Sequence, residues 1–275
     1  MAPSLLGVIT FAGMPFLDLC RRSVMDARGV KFLGFHNYMS VLQSKVFQRA
    51  SWNTLRFMGV CIPLVLGISF LLAFCIFHKL KNYDIRKNSV KMGYLLPYVL
   101  PVSSFVVLWR LLFERNGLVN VGLTNIGELL NSDYERTDWM RSSYAFWVLC
   151  LCYIWRQVGF YMVLWLARME SIEEAVLEAA KIDGVSQYRL AKDIILPNVR
   201  GTFRMLIILA LTGCFKCYRE AYLVAGDYPD ESMYMLQHVF TNWFASLDIQ
   251  KMSAGTVIMV LVLALVLGVR HEEKE

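Results

Sequence analysis

Apolar residues in this chain are gathered into six blocks, at residues 1–19, 58–77, 93–113, 144–167, 203–224 and 254–269. Most are close to the roughly 20 residues that a helix needs to cross about 30 Å of hydrocarbon. The pattern predicts an all-α polytopic membrane protein with six transmembrane helices, one domain covering residues 1–275. The first block is short and contains Pro15 and Asp18. A signal peptide is its rival reading, but no basic region precedes it. A first span with a missing or very short cytoplasmic lead is expected instead. The third block is interrupted by Pro97 and Pro101.

Composition agrees with the pattern. Hydrophobic residues make up 57% of the chain and charged residues 18%, against about 45–50% and about 25% for soluble domains. The net charge is +6, and in a membrane protein basic residues in short loops set orientation rather than indicate nucleic acid. Residues 79–92 carry Lys79, Lys81, Arg86, Lys87 and Lys91, and residues 168–202 carry Arg168, Lys181, Arg189, Lys192 and Arg200. Two crossings separate these loops, so they share a side. Residues 114–143 and 225–252, opposite, carry three basic residues and one. The basic side is therefore expected to be cytoplasmic, with both termini there. Residues 20–55 disagree: they would lie outside, yet contain Arg21, Arg22, Arg28, Lys31, Lys45 and Arg49. Of seven cysteines, six lie in apolar blocks as small hydrophobes. Cys214 and Cys217 have redox-motif spacing without the βαβ context such a motif needs, so packing is expected.

Residues 171–197 read SIEEAVLEAAKIDGVSQYRLAKDIILP. Ser171 followed by Glu174 has capping-box spacing and predicts a helix start. Ala, Leu and Glu favour helix through Ile182. Ile172, Ala175, Val176 and Ala179 share one face. Asp183-Gly184 predicts an end with glycine in the left-handed conformation. Ser186 is placed to cap a second short helix through Ile195, and Pro197 to break the chain before the fifth span. A helix-turn-helix between two spans results. An amphipathic hairpin on the membrane surface is the plainer alternative.

Glu178-Ala179-Ala180, Gly184, Ile194 and Leu196-Pro197 stand at the spacing of the EAA loop of binding-protein-dependent ABC importer permeases, and the chain resembles that family. The segment 31–38 (KFLGFHNY), the run 96–101 (LPYVLP) followed by Trp109-Arg110, and 155–160 (WRQVGF) are similar to carbohydrate permeases of the maltose-permease type. The resemblance implies that residues 168–202 form a coupling loop docking on a cytoplasmic ATPase subunit, with Glu178, Ala179, Ala180, Gly184, Ile194, Leu196 and Pro197 as its motif residues. It implies as partners a second permease subunit, like or unlike this one, two cytoplasmic ATPase subunits, an extracellular solute-binding protein and a sugar substrate. It implies alternating access in the lipid bilayer of a bacterial or archaeal cytoplasmic membrane, with no cofactor. The chain departs from the family in lacking a basic N-terminal lead, in having Glu173 where many relatives have proline, and in the loop at 225–229.

Charges at membrane depth are costly and normally face protein or water. Arg156 and Gln157 fall mid-way along the fourth span, and Lys216, Arg219 and Glu220 in the outer half of the fifth. Lys216 and Glu220, four apart, are expected to pair. These four, Arg156, Gln157, Lys216 and Glu220, are candidates for a substrate path, with a structural pair as the alternative. Trp155 and Tyr161 could stack on a sugar ring or simply pack. Arg110 near a span end is expected to snorkel. No phosphate loop, H-E-x-x-H or nucleophile elbow occurs, and His36, His78, His238 and His271 are scattered. No catalytic or metal residue is therefore expected, and ATP hydrolysis is expected on a separate subunit. An intramembrane enzyme would need a convergent set of reactive groups, and a secondary transporter an internal repeat and an ion site. Neither is visible.

Overall fold

The structure, a computed structural model, describes residues 2–79, 84–132, 134–226 and 228–268. Lys81, Asp227, His271 and Val269, the last residue of the sixth block, lie outside the described residues. In chain order, α1 (Ala2–Val8) passes through a π-helical turn (Ile9–Gly13) into α2 (Met14–Ser23), and α3 (His36–Gln43) precedes α4 (Lys45–Lys79). Next come α5 (Asp84–Val99), α6 (Val102–Phe113), α7 (Leu118–Leu129) and α8 (Ala145–Glu170). Short helices α9 (Glu174–Ile182) and α10 (Gln187–Arg189) lead through a second π-helical turn (Leu190–Ile195) to α11 (Leu196–Asn198). The chain ends in α12 (Arg200–Lys216), α13 (Tyr218–Ala225), α14 (Leu236–Ala245) and α15 (Ile249–Gly268). No strand occurs among the described residues, where Met25 and Phe32 form an isolated bridge.

Among the described residues four helical stretches are long and apolar enough to cross a membrane: Pro3–Ser23, Lys45–Lys79, Ala145–Glu170 and Arg200–Val224. The apolar part of α15, Ile249–Leu265, is shorter. The third block departs from expectation. It is a bent pair, Asn88–Val99 and Val102–Leu129, turning by 91°, and counting it as one span gives five. Leu100 N–H closes the last turn of α5 onto the Leu96 carbonyl at 3.2 Å. Pro101 then has no N–H to extend the ladder and sits at φ −55°, ψ 139°. Proline also drives the residue before it away from helical geometry. Pro63 and Pro97, by contrast, lie inside continuous helices.

Both π-helical turns end two residues before a proline, Pro15 and Pro197. Met14 N–H reaches back to the Ile9 carbonyl and Leu196 N–H to the Ala191 carbonyl, five residues rather than four. The wider turn makes room where a proline ring would press on the carbonyl one turn earlier. Pro197 therefore widens the helix instead of breaking it before the fifth span, as its sequence position suggests. The predicted capping box is likewise absent. Ser171 is the C-cap of α8, its Oγ donating to the Arg168 carbonyl at 2.8 Å, and α9 begins only at Glu174. The basic end of a long helix competes for that hydroxyl more effectively than the helix that follows.

The chain divides into two compact units, Met1–Thr54 with Tyr234–Glu275, and Leu55–Met233. In the first, α15 packs on α2, α3 and α14. Thr54 Oγ1 donates to the Ala50 carbonyl (2.8 Å) and accepts from Leu236 N–H (2.9 Å), fixing the start of α14. His238 Nδ1 accepts from Met235 N–H at 3.1 Å. In the second, α4 and α8 supply the core: Val65, Leu66, Phe77, Met162, Trp165 and Leu166 are buried together with Ile195 and Leu206. At Gly159 of α8 a Cβ would overlap the Tyr94 carbonyl of α5. Close backbone approach of this kind drives association between helices where lipid removes the hydrophobic incentive. Beyond the bend, Asn120 is fully buried, its Nδ2 donating to the Glu114, Arg115 and Thr137 carbonyls and its Oδ1 accepting from Tyr134 and Trp139.

Two predictions follow from this packing. Gly159→Leu forces α5 off α8; the expected outcome is loss of folded protein at matched expression, read by thermal unfolding in detergent, whereas Gly201→Leu, at an exposed site with nothing near its Cβ, is tolerated. Burial lowers the His238 imidazole from 6.5 to about 4. Its folded pKa is depressed, so the unfolded chain binds the proton first and stability falls as pH drops through 6.5 toward 4. His238→Gln removes this contribution, which is on the order of 3 kcal/mol at most, so the melting temperature of wild type falls more steeply with acid than that of the variant.

Candidate functional site

The segment between α8 and α12 is held at its base by one arginine. Arg168 Nε and Nη2 donate to the Asn198 carbonyl at 3.2 and 3.1 Å, and its Nη1 to Ser171 Oγ at 2.9 Å. One guanidinium thus ties the first and last residues of the segment together. In the sequence Arg168 stands out only as a loop charge; its place at the end of a span, facing a loop that must return, is the signal for this second role. Gln187 and His78 Nε2, 2.8 Å apart, tie the turn to the end of α4.

α9 closes as the sequence predicts. Gly184 has φ +65°, Asp183 N–H bonds the Ala179 carbonyl and Val185 N–H the Ala180 carbonyl, both at 3.0 Å. The 6→1 bond with glycine in the left-handed region is a Schellman closure. Ser186 Oγ accepts from Arg189 N–H at 3.4 Å and starts α10. Leu177, Ala180 and Ile195 point into the core and Ile194 is half-buried, whereas Glu178, Ala179, Leu196 and Pro197 are exposed. The buried face of α9 is thus Leu177 and Ala180. Of the face marked in the sequence, Ile172 is half-buried and Ala175, Val176 and Ala179 point outward. Ile182 (87% exposed) and Tyr188 (72%) add apolar surface that the motif does not mark.

At membrane depth, Arg156 of α8 pairs with Glu220 of α13. This corrects the expected Lys216–Glu220 pair. Cys217 N–H bonds the Cys214 carbonyl, an i→i−3 turn between α12 and α13 that shifts the register. Glu220 is buried and Lys216 exposed. Among the described residues Lys216 and Gln157 form no ion pair or side-chain hydrogen bond, and Gln157 is half-buried. Glu220 Oε2 and Arg156 Nε are buried without a hydrogen-bond partner. Glu220 borders a narrow crevice otherwise lined by Phe105, Trp109, Met140, Val148 and other apolar side chains. Trp155 is 39% exposed and stacks on Phe105 (5.7 Å, 18°), while Tyr161 is packed in the core. Arg110 does not snorkel: its Nη2 donates to the Leu223 and Val224 carbonyls (3.1 and 2.6 Å), the free acceptors ending α13.

The chain belongs to the family of binding-protein-dependent transport system inner membrane components, whose model matches residues 45–270. It is the permease component of an ABC importer, a multi-pass protein of the cytoplasmic membrane, and not the ATP-hydrolysing subunit. It is 23% identical over 271 residues, 97% of this chain and 89% of the relative, to the probable starch degradation products transport system permease protein AmyD of Thermoanaerobacterium thermosulfurigenes. It is 26% identical over 261 residues (93% and 81%) to the sulfoquinovosyl glycerol transport system permease protein SmoG of Agrobacterium fabrum. It shares its fold with a subunit of a bacterial ABC transporter involved in the import of the acidic polysaccharide alginate, with TM-score 0.79, 21% identity and 96% and 89% coverage.

The Arg156–Glu220 pair yields a double-variant prediction. Glu220→Leu alone leaves a buried unpaired guanidinium and is expected to cost about 3–5 kcal/mol. Arg156→Leu with Glu220→Leu removes both charges and recovers most of that stability. If Arg156 and Gln157 also line the path, Arg156→Leu/Glu220→Leu and Gln157→Leu assemble normally but take up substrate poorly; normal uptake in both assigns them to packing.

Proposed function

We propose that this permease imports a carbohydrate, and that residues 168–202 form the coupling loop through which ATP hydrolysis drives it. The carrying observation is the display of Glu178 and Ala179 on the outer face of a short helix that Arg168 clamps at its base and Gly184 closes. A rigid, small-residue surface suits docking against a partner backbone, and the exposed Val176, Ile182 and Tyr188 extend it with apolar area. In this reading two cytoplasmic ATPase subunits engage the loops of this chain and of a second permease subunit, like or unlike it. Closure of the ATPases draws the loops together and reverses which side of the path is open. Six spans, with the bent third pair and α15 among them, put both termini and both basic loops in the cytoplasm. A solute-binding protein delivers the substrate from outside. The names of AmyD and SmoG, and the alginate importer solved with a pentasaccharide-bound periplasmic protein, support a carbohydrate. A secondary transporter or an intramembrane enzyme leaves the clamped loop without a task.

Gly184→Val puts a side chain at positive φ, which costs roughly 1 kcal/mol or more. That leaves the bundle folded but is large for a docking surface, where about 1.4 kcal/mol is tenfold in affinity. Gly184→Val and Glu178→Lys are therefore expected to reduce ATPase co-purification and uptake at matched membrane expression. Wild-type values in both variants would remove the coupling assignment. The sugar is identified by titrating a panel of sugars against the co-purifying solute-binding protein.

A further inference from the structure

The segment between α8 and α12 joins the bundle through two breaks in the helical ladder. At the first, α8 ends at Glu170 and α9 begins at Glu174, so residues 171–173 carry no helix. At the second, α11 ends at Asn198 and α12 begins at Arg200, with Val199 between them at φ −95°, ψ 2°. Residues at the ends of elements are where a chain absorbs a change of backbone angle. One guanidinium spans both breaks. Arg168 Nη1 donates to Ser171 Oγ at the first, and its Nε and Nη2 donate to the Asn198 carbonyl at the second. Both acceptors are themselves held: Ser171 Oγ donates to the Arg168 carbonyl, and Asn198 Nδ2 to the Ile194 carbonyl at 2.7 Å. The end of α8 that carries Arg168 is fixed too, since Met169 is buried in the core and Glu170 Oε1 lies 3.4 Å from Lys91 Nζ of α5.

We propose that Arg168 is the transmission residue of this segment: it stiffens both breaks, so that a displacement of α9 reaches α8 and α12 instead of being absorbed between them. The proposal rests on the coupling role given above to residues 168–202 and divides it into two tasks. Glu178 and Ala179 meet the ATPase subunit. Arg168 is a positioning residue that acts through the backbone of its own chain. A cation kept only to set orientation would extend into water or onto lipid phosphate. Arg168 is exposed, yet its Nε, Nη1 and Nη2 are all spent on protein acceptors. Hydrogen bonds from a charged donor are stronger than neutral ones, so they persist at an exposed site where water competes. The planar fork of the guanidinium lets one side chain hold two separate acceptors, which the single nitrogen of lysine does not reproduce. The contact between Gln187 and His78 of α4 lies at the turn between α9 and α10 and spans neither break. The predicted failure is therefore specific: without Arg168 the ATPase still docks and still hydrolyses ATP, but the spans do not follow.

The test uses the assembled importer with the full-length chain carrying Arg168→Met, Arg168→Lys or Ser171→Ala. Backbone hydrogen exchange, read by mass spectrometry, reports on the breaks directly. The expected result is faster exchange at residues 171–174 and 199–202 in both Arg168 variants and at 171–174 alone in Ser171→Ala. Exchange at residues 177–182 of α9 stays at the wild-type rate in all three, which shows that the segment is still folded. ATPase co-purification and ATP hydrolysis also stay at wild-type level. Uptake per ATP, measured with the sugar that the panel titration selects, falls severalfold in both Arg168 variants. Wild-type exchange at both breaks in Arg168→Met overturns the proposal, and so does wild-type uptake per ATP in that variant. Full recovery by lysine assigns Arg168 to loop charge, and loss of ATPase co-purification in Arg168→Met assigns it to the docking surface; either result overturns transmission. Failure of the coupling reading itself looks different: Glu178→Lys then keeps wild-type co-purification and uptake, whatever the exchange pattern at the two breaks.

Discussion

Inside hydrocarbon, no water is present to take a backbone hydrogen bond, so every N–H and C=O must find a partner within the protein. Most of the structure follows from where prolines interrupt that supply. Pro15 and Pro197 are absorbed by π-helical turns that keep the chain helical. Pro101 is not absorbed, and the helix turns by 91°. At the far end of α13 the last carbonyls have no helical donor left, and the Arg110 guanidinium of α6 supplies two hydrogen bonds to them. An arginine on one helix thus completes the ladder of another, and a charge that would otherwise seek the interface becomes part of the packing between α6 and α13.

The Arg156–Glu220 pair obeys the same constraint with charge in place of backbone. Two ions at membrane depth cannot be left apart, and each is the other's main relief. Their satisfaction is incomplete, since Glu220 Oε2 and Arg156 Nε have no hydrogen-bond partner and the guanidinium lies 5.8 Å from the centre of the Phe105 ring. A pair made only for stability would be better served by apolar side chains of similar size. The pair borders a narrow crevice whose other walls are apolar, Phe105 among them, and Trp155 stacks on that ring.

The helices were legible because membrane spans leave long apolar runs that no loop can imitate. The glycine closure of α9 was legible because its residues lie within one short segment. What failed depended on neighbours in space. Lys216 and Glu220 are four apart, but one i→i−3 turn at Cys217 separates their faces, and the acid's true partner is 64 residues away. Ser171 has the identity of an N-cap, yet the Arg168 end of α8 takes it as a C-cap. Arg110 lies near a span end, where snorkelling is the usual outcome, and only the fold reveals the carbonyls it meets. The 91° bend had its prolines in plain view, but Pro63 and Pro97 show that a proline alone does not decide between a kink and a break.

The motif in the α8–α12 segment separates into two kinds of residue when each is asked what it does within its own chain. Ala180 is buried and gives the carbonyl that Val185 N–H closes upon, so a larger side chain there would lift α9 from the core. Gly184 supplies the positive φ that the closure needs. These two are explained by folding alone. Glu178 and Ala179 are not: both are exposed, and no side-chain hydrogen bond or ion pair among the described residues uses Glu178. Because the closure is made by backbone groups, it leaves the outer face of α9 free of duties to the fold. The clamp at Arg168 meanwhile keeps that face from swinging with the loop. A surface that is held still by its own chain and given no work by it is suited to act on something outside the chain, and that is why the proposed coupling role rests on Glu178 and Ala179 rather than on the glycine that makes their display possible.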